Sequence, residues 1–144
     1  MRAVLRAVID TNVVFEGLTQ QVSVPTLIVD AWRLRLFQPC VSNALAYEYA
    51  DVLSRKLSPL RWDRTQPVVE ELLALAEFVP LYFSWRPSSP DPSDEHVVDC
   101  GMNARAVVVT SNVRDFMWAQ AELGLQILRP GEFLWRLTEQ RPAS

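Results

Sequence analysis

The chain has 144 residues, of which 49% are hydrophobic and 22% are charged. This length suits one domain, which we expect to span residues 1–144, and the apolar share excludes extended disorder. The net charge of −3 argues against a general nucleic-acid coat protein, because such a protein carries a strongly basic surface. No stretch approaches the roughly 18 apolar residues of a membrane span, and the first residues include no cleavable apolar region. We therefore expect a soluble, cytoplasmic protein with no membrane partner.

Cysteine and histidine are scarce in this sequence. Cys40 and Cys100 lie far apart, and His96 is the only histidine. This usage excludes the metal–thiolate spacings of zinc sites and argues against Cys–His nucleophiles and Ser–His–Asp triads. Any chemistry is therefore expected to depend on carboxylates and hydroxyls.

The apolar pattern predicts strands and helices in alternation. Along the chain, the predicted strands are residues 4–9, 37–41, 79–83, 106–110 and 125–128. The first predicted helix opens at residues 10–12 and runs through 18, and the last opens at 130–132. Between them the predicted helices are 26–36, 42–56, 68–78, 94–104 and 115–123, and Ser42 is the N-cap of the second of these. The predicted loops are 62–67 and 84–93.

Strands that alternate with helices indicate βα units with right-handed crossovers and a mostly parallel central sheet. The predicted fold is therefore a three-layer α/β/α architecture. Ligands of open parallel sheets bind beyond the carboxyl ends of the strands. Residues 10–12 and 110–112 follow two apolar strands, so we expect both segments in that region.

Three acidic residues occupy positions where an exposed carboxylate is not expected. Asp10 ends the first strand, Glu48 lies within the apolar stripe of its helix, and Asp94 shares a helix face with apolar residues. Each has an ordinary alternative explanation, since Asp10 and Asp94 can stabilise helix N-termini and Glu48 can lie at a partly exposed boundary. Glu95 and Asp99 fall on another helix face, where we expect both to be solvated.

If Asp10, Glu48 and Asp94 converge, their charges repel one another unless a cation lies between them. Hard oxygen ligands select Mg²⁺ or Mn²⁺. Such an ion activates water and neutralises charge that builds on a phosphate. The joint pattern therefore indicates a metal-dependent hydrolytic site more strongly than any of the three residues does alone.

Four segments follow one another in a distinctive order, AVIDTNVV at 7–14, YEYADVL at 47–53, DPSD at 91–94 and VVVTSNVRDF at 107–116. Together with LGL at 123–125 and RPGEFL at 129–134, they cover nearly the whole chain. In this order they resemble the PIN domain, the small ribonuclease fold of many bacterial toxin–antitoxin toxins such as the VapC-like proteins. The resemblance implies a PIN-like parallel sheet with acids clustered at its carboxyl edge, and metal-dependent cleavage of single-stranded RNA.

Carried over residue by residue, the resemblance makes Asp10, Glu48 and Asp94 the catalytic and metal-binding acids. In the implied mechanism they hold Mg²⁺ or Mn²⁺, and a metal-activated water attacks a phosphodiester in line. Asn112 stands where many relatives have a fourth acid, and its carbonyl can coordinate a metal without adding charge. Asp115 is a candidate substitute for that acid, so the number of metal ions, one or two, stays open.

The resemblance also implies roles around the acids. Four polar residues would orient Asp10 or line the cleft, namely Thr11, Asn12, Thr110 and Ser111. Arg114 follows the cleft segment and is a candidate phosphate contact, although an exposed arginine at a helix start has an equally ordinary explanation.

Partners are a further implication of the resemblance. RNA is the expected substrate, a small antitoxin from a neighbouring gene is the expected inhibitor, and a homodimer is the expected assembly. Tryptophan is more frequent than a small core needs, so we expect some of these side chains at the surface as interface anchors, with half-burial of all five as the ordinary alternative: Trp32, Trp62, Trp85, Trp118 and Trp135.

Two other functions stay open at the level of sequence. A catalytically weak or inactive PIN-like module that binds RNA or protein fits Asn112 and the acidic net charge. A phosphoryl-transfer enzyme with Asp10 as nucleophile would be supported by a second aspartate two residues further on, but that residue is Asn12. A dinucleotide-binding enzyme is excluded, because no glycine-rich phosphate loop follows the first strand.

Overall fold

A computed structural model describes residues 4–84 and 94–140. In these residues the strands are β1 (Arg6–Ile9), β2 (Gln38–Val41), β3 (Glu77–Phe78), β4 (Val107–Val109) and β5 (Ile127–Leu128). The helices are α1 (Thr11–Thr19), α2 (Val24–Arg33), α3 (Asn43–Lys56), α4 (Pro59–Leu75), α5 (Asp94–Ala104), α6 (Met117–Leu123) and α7 (Pro130–Glu139). One 3₁₀ helix, η1 (Val113–Phe116), precedes α6.

The strands form one parallel sheet in the order β3-β2-β1-β4-β5. The crossovers from β1 to β2 and from β2 to β3 run in one direction across the sheet, and the later crossovers run in the other. Because such crossovers are right-handed, the helices before β3 cover one face, and α5 and α6 cover the opposite face. The predicted three-layer α/β/α fold with a parallel central sheet is thus confirmed.

The main core covers both faces of the sheet, because its buried residues come from the strands, from the helices of the first face and from α5 and α6. Its largest rings contact one another edge to face, with Phe37 and Phe133 only 4.9 Å apart between centroids and Trp32 6.4 Å from Tyr49. The indole N–H of Trp32 donates to the carbonyl of Leu72 at 2.9 Å, which satisfies the one polar atom of this buried side chain.

A smaller apolar cluster joins α1, α3 and α4 beside the main core. Its fully buried members are Leu53, Leu57 and Val69, and Phe15 and Trp62 pack against it. This cluster fixes α3 relative to α1 independently of the contacts that either helix makes with the sheet.

Helix α4 corrects the predicted loop at 62–67. Pro67 lies inside the helix, where its missing N–H and its ring cost about 3 kcal/mol. The proline is on the exposed side, so water can hydrate the carbonyl that loses its partner. Trp62 before the proline and Val69 after it both pack on the small cluster, and that burial offsets the cost.

The predicted strand at 79–83 was also wrong. The edge strand is the two-residue β3, and although the N–H of Val79 still donates to the Val41 carbonyl of β2, the backbone at Tyr82 and Phe83 bonds a side chain. Asn103 Oδ1 accepts from the N–H groups of Tyr82 and Phe83 at 3.0 and 3.3 Å, and Asn103 Nδ2 donates to the Phe83 carbonyl. The predicted loop at 84–93 lies outside the described residues apart from Ser84.

Several boundaries were predicted well. Helix α5 has the predicted limits 94–104, and the hydroxyl of Ser42 accepts from the N–H of Leu45 at 3.1 Å, as an N-cap does. Among the described helices, none combines the length and apolar composition that a membrane crossing requires.

Candidate active site

Asp10 and Thr110 lie side by side at the carboxyl edge of the sheet. Asp10 follows β1 and Thr110 follows the adjacent strand β4, which is where the strand order reverses direction. The hydroxyl of Thr110 donates to Asp10 Oδ2 at 2.7 Å, and both residues are buried, with exposures of 0% and 3%. The N–H of Asp10 also donates to the Val109 carbonyl at 2.9 Å. Reversal points of parallel sheets form crevices that bind ligands, so this pair occupies the expected place for a site.

Helix α3 brings Glu48 to the same edge. The hydroxyl of Thr11, directly after Asp10, donates to Glu48 Oε2. The next residue along α3, Tyr49, is buried and donates its hydroxyl to the carbonyl of Ile9, the residue before Asp10. Two adjacent hydrogen bonds thus hold the second turn of α3 against the end of β1, and they orient Glu48 toward the Asp10 region.

The electrostatics of Asp10 reflect this crowding. Burial raises the pKa of the Asp10 carboxyl above its usual range, because desolvation disfavours the charged form. The hydroxyl of Thr110 and the N–H of Thr11 oppose that rise, and the negative charges of Glu48 and Asp115 add to it. A cation at this edge would therefore find a carboxylate that water and neighbouring charges do not satisfy.

The segment after β4 forms the other side of the crevice. The N–H of Asn112 donates to the Thr110 hydroxyl at 3.0 Å, so one hydroxyl links Asp10 to this segment. Ser111, Asn112 and Arg114 are exposed, and Asp115 is half-buried in η1. Asn12, on the α1 side, is exposed as well.

The acidic residues that helix α5 buries are not the ones that the sequence predicted. Asp94, its first residue, is half-buried, whereas Glu95 and Asp99 are 8% and 1% exposed and were predicted to be solvated. The reason is that α5 contacts α3 as well as β1, β2 and β4, so more than one stripe of its surface is covered. Its apolar residues Val97 and Val98 are fully buried, as predicted.

Asp10 and Glu48 are close enough for the charge of Glu48 to add to the raised pKa of Asp10. Within 4–84 and 94–140, no three side chains among His, Cys, Asp and Glu are close enough to hold one metal ion. The chemistry of the donor set still fits a divalent cation, since Asp10, Glu48 and Asn112 offer hard oxygens and burial leaves Asp10 with a raised pKa.

Two positioning contacts were not foreseen from the sequence. The contact of the buried Tyr49 hydroxyl could only have been suspected from the rule that a buried polar tip needs a partner. Thr11 or Asn12 was expected to orient Asp10, but the Thr11 hydroxyl donates to Glu48 and Asn12 is exposed. The side chain that bonds Asp10 is Thr110.

A family model described as the PIN domain matches residues 6–114, which is most of the chain. The chain therefore belongs to the PIN domain family. PIN domains are nucleases, and they generally use divalent metal ions. No curated protein sequence matches the chain.

Solved structures with the same fold have low sequence identity to this chain. A structure of VapBC2 from Rickettsia felis, bound to a DNA fragment from their promoter, is 12% identical with a TM-score of 0.65 and covers 87% of this chain and 98% of that one. FitAcB from Neisseria gonorrhoeae is 16% identical with a TM-score of 0.66 and the same coverage. PAE2754 from Pyrobaculum aerophilum is 15% identical with a TM-score of 0.62, and covers 95% of this chain and 91% of that one.

Proposed function

We propose that this protein is a metal-dependent ribonuclease that cleaves single-stranded RNA, and that it is the toxin of a toxin–antitoxin pair. The observation that carries the proposal is the hydrogen-bonded junction at the carboxyl edge, where Thr110 bonds Asp10 and Thr11 bonds Glu48. These bonds fix two carboxylates at the one crevice that the strand order creates. Membership of a nuclease family supports the assignment.

In this proposal Asp10 and Glu48 are the principal metal ligands, with Asp94 as the third acid and Asn112 as a neutral oxygen donor. A bound Mg²⁺ or Mn²⁺ would supply Lewis acidity to a phosphodiester and to the attacking water. Asp115 adds negative charge beside Asp10.

The remaining cleft residues orient the acids and the substrate. Thr110 holds the Asp10 carboxylate in one rotamer, and the Thr11 hydroxyl does the same for Glu48, which limits the rearrangement that metal binding would require. Ser111 and Asn12 are exposed beside them and can hydrogen-bond the sugar or phosphate of a bound strand. Arg114 is exposed on the β4 side and is our phosphate contact there.

Cleavage of a mixed single-stranded RNA pool by the purified chain tests this function. We expect cleavage with Mg²⁺ or Mn²⁺, no cleavage after chelation, and loss of cleavage in Glu48→Gln. Glu71→Gln is the matched control, because Glu71 is an exposed glutamate on α4 that pairs with Arg33. Cleavage that survives exhaustive chelation would rule out the metal mechanism.

The partner assignments are a separate part of the proposal. We infer a small antitoxin encoded next to this gene, a homodimer and a cytoplasmic location. The VapBC2 and FitAcB structures of the same fold support the antitoxin partner. Trp118 and Trp135 are exposed and suit such interfaces, whereas Trp32 is buried, Trp62 is half-buried and Trp85 lies outside the described residues. Growth arrest on expression, relieved by the neighbouring small gene, is the expected result, and harmless expression of an intact monomer would contradict it.

A second candidate function has a specific observation in its favour. Asn112 stands where the resemblance to the PIN domain places an acid, and the described residues hold no cluster of three metal-ligating side chains. A PIN-like module that binds RNA or protein without cleaving it would have both features. RNA binding that neither leads to cleavage with Mg²⁺ or Mn²⁺ nor changes in Glu48→Gln would favour this module over the nuclease.

A further inference from the structure

The single lysine of the chain is held over an aromatic ring near the candidate site. Lys56 is the last residue of α3, and its Nζ lies 5.0 Å from the centroid of the Phe15 ring on α1. Every other side-chain cation among the 14 basic residues is an arginine. An ammonium group within about 6 Å of a ring face is attracted by the ring quadrupole.

The Lys56–Phe15 contact belongs to the seam between α1 and α3, by which we mean the line of contacts that runs from Thr11 and Glu48 to Phe15 and Lys56. Thr11 bonds Glu48 at the inner end of the seam, and Phe15 meets Lys56 further along both helices. Lys56 is eight positions after Glu48, which corresponds to about 12 Å along the helix axis. Helical side chains lean toward the N-terminus, so the Lys56 ammonium is directed back along the seam toward Glu48.

The Phe15 ring positions the Lys56 ammonium, and no carboxylate of the described residues forms an ion pair with it. Phe15 packs against the small cluster of Leu53, Leu57 and Val69, which holds its ring in place. The preceding cation, Arg55, is engaged by Asp51 at 3.0 Å, whereas Lys56 has no carboxylate partner within ion-pair distance in the described part of the chain. Lys56 is also exposed.

We propose that Lys56 binds a backbone phosphate of the substrate strand, one that neighbours the scissile phosphate, and that Phe15 positions it. The inference rests on the proposed nuclease function. A lysine so far along α3 is too distant for the scissile phosphate at Glu48, and it suits a phosphate further along the strand. Because β1 lies between β2 and β4, the segments that carry Lys56 and Arg114 leave the sheet on opposite sides of Asp10. The strand then crosses the acidic edge between two positive groups, which offsets the repulsion of its phosphates by the acids.

A structural role for the same contact makes a different prediction. A lysine at a helix C-terminus interacts favourably with the helix dipole, and its contact with Phe15 can simply hold α1 against α3. Removal of the charge would then lower stability and leave the salt dependence of RNA binding unchanged. The salt dependence therefore separates the two roles.

The test measures binding of an oligouridylate of about 12 nucleotides to full-length protein in an Asp10→Asn background across a salt series. Each phosphate contact contributes about 0.7 to the slope of log K against log salt for single strands. We expect Lys56→Gln to reduce the slope by about 0.7 and to weaken binding, and Lys56→Arg to retain both. Arg105→Gln removes an exposed charge at the opposite edge of the sheet and should leave the slope unchanged.

Cleavage kinetics give a second measurement in protein that keeps Asp10. Lys56→Gln should raise KM and leave kcat unchanged, because the contact is remote from the reacting phosphate. If parent protein binds and cleaves RNA while Lys56→Gln keeps the full salt slope and KM, the phosphate contact is overturned and the nuclease stands. If the parent neither binds nor cleaves RNA, both proposals fail together.

Discussion

The hydroxyl of Thr110 donates a 2.7 Å hydrogen bond to Asp10, across the boundary between the two central strands β1 and β4. The two residues are a hundred positions apart in sequence and are joined only because parallel pairing aligns the ends of their strands. A carboxylate and a hydroxyl at strand ends are ordinary in isolation. Their contact lies at the reversal point of the sheet, where parallel sheets bind ligands.

The first prediction concerns that hydrogen bond. Thr110→Val keeps the shape of the side chain and removes the donor to a buried carboxylate, so we expect a loss of about 2 kcal/mol in the free energy of unfolding at neutral pH. Thr110→Ser retains the hydroxyl and should lose much less. Urea denaturation in the presence of chelator measures both, and equal stability of the valine variant and the parent would show that the bond does not stabilise the charged form of Asp10.

The second prediction concerns the charge of Asp10. Its pKa is raised in the folded protein, mainly by burial, so the folded state retains the proton to higher pH than the unfolded chain does. Ionised Asp10 therefore costs stability, a cost that is absent below its ordinary pKa of 3.8 and develops as pH rises through the folded pKa. Asp10→Asn should raise the Tm of the metal-free protein at pH 7 and leave it little changed near pH 3.5.

Asp63→Asn on the exposed surface of α4 is the matched control and should not alter Tm at either pH. A lower Tm of Asp10→Asn at pH 7 would mean that the carboxylate is a stabilising helix cap. The Asp10 carboxylate would then stabilise the fold as well as serve catalysis, and there would be no trade-off between stability and activity at Asp10.

The third prediction concerns the two buried thiols. Desolvation raises the pKa of Cys40 to about 11 and that of Cys100 to about 12. Both thiols should therefore fail to react with a thiol reagent at pH 8 in the folded protein and should react in urea. Stability should also fall as pH rises above the ordinary thiol pKa of 9.0, because the unfolded chain ionises first. Rapid reaction of one thiol equivalent in the native state would contradict this.

The fourth prediction concerns the packing of α1 on α2. A Cβ at Gly17 would lie 2.7 Å from the Pro25 carbonyl oxygen and 2.5 Å from a Val29 methyl group, so Gly17→Ala forces the helices apart. We expect a loss of about 2 kcal/mol. Gly131 in the first turn of α7 has open space around it, and Gly131→Ala should be neutral or stabilise by up to about 1 kcal/mol. Thermal denaturation of the two variants compares them directly.

Local signals were enough to predict much of the fold. The apolar strand before Asp10 and the one before Thr110 are both buried strands, and Ser42 caps α3 as its side chain and position suggest. Pro67 predicted a loop, but the residue lies inside a helix. The burial of apolar side chains on both sides of the proline outweighs the local free-energy cost of a proline within a helix. The composition around Tyr82 predicted a strand, but the backbone N–H of Tyr82 bonds the Asn103 side chain and not a neighbouring strand.

The location of Asp10 and Thr110 at the carboxyl edge was predictable, whereas their hydrogen bonds were not. Asp10 and Thr110 were placed at the carboxyl edge by topology alone, but which hydroxyl bonds which acid depends on side-chain directions that no spacing rule gives. The burial of Glu95 and Asp99 depends on α5 contacting both the sheet and α3, a property of the assembled layers. The Lys56–Phe15 contact likewise requires the crossing of two helices that are distant in sequence.

The central claim is that Asp10 and Glu48 act together as one metal-dependent nuclease site. Its most direct test is the initial rate of single-stranded RNA cleavage with saturating Mn²⁺ for the parent, Asp10→Asn, Glu48→Gln and the double variant. Groups that act as a unit lose most activity on the first substitution, so we predict a loss of about 100-fold or more for each single variant and no further loss for the double. A single variant that retains the parent rate, or losses that multiply in the double variant, would contradict the account.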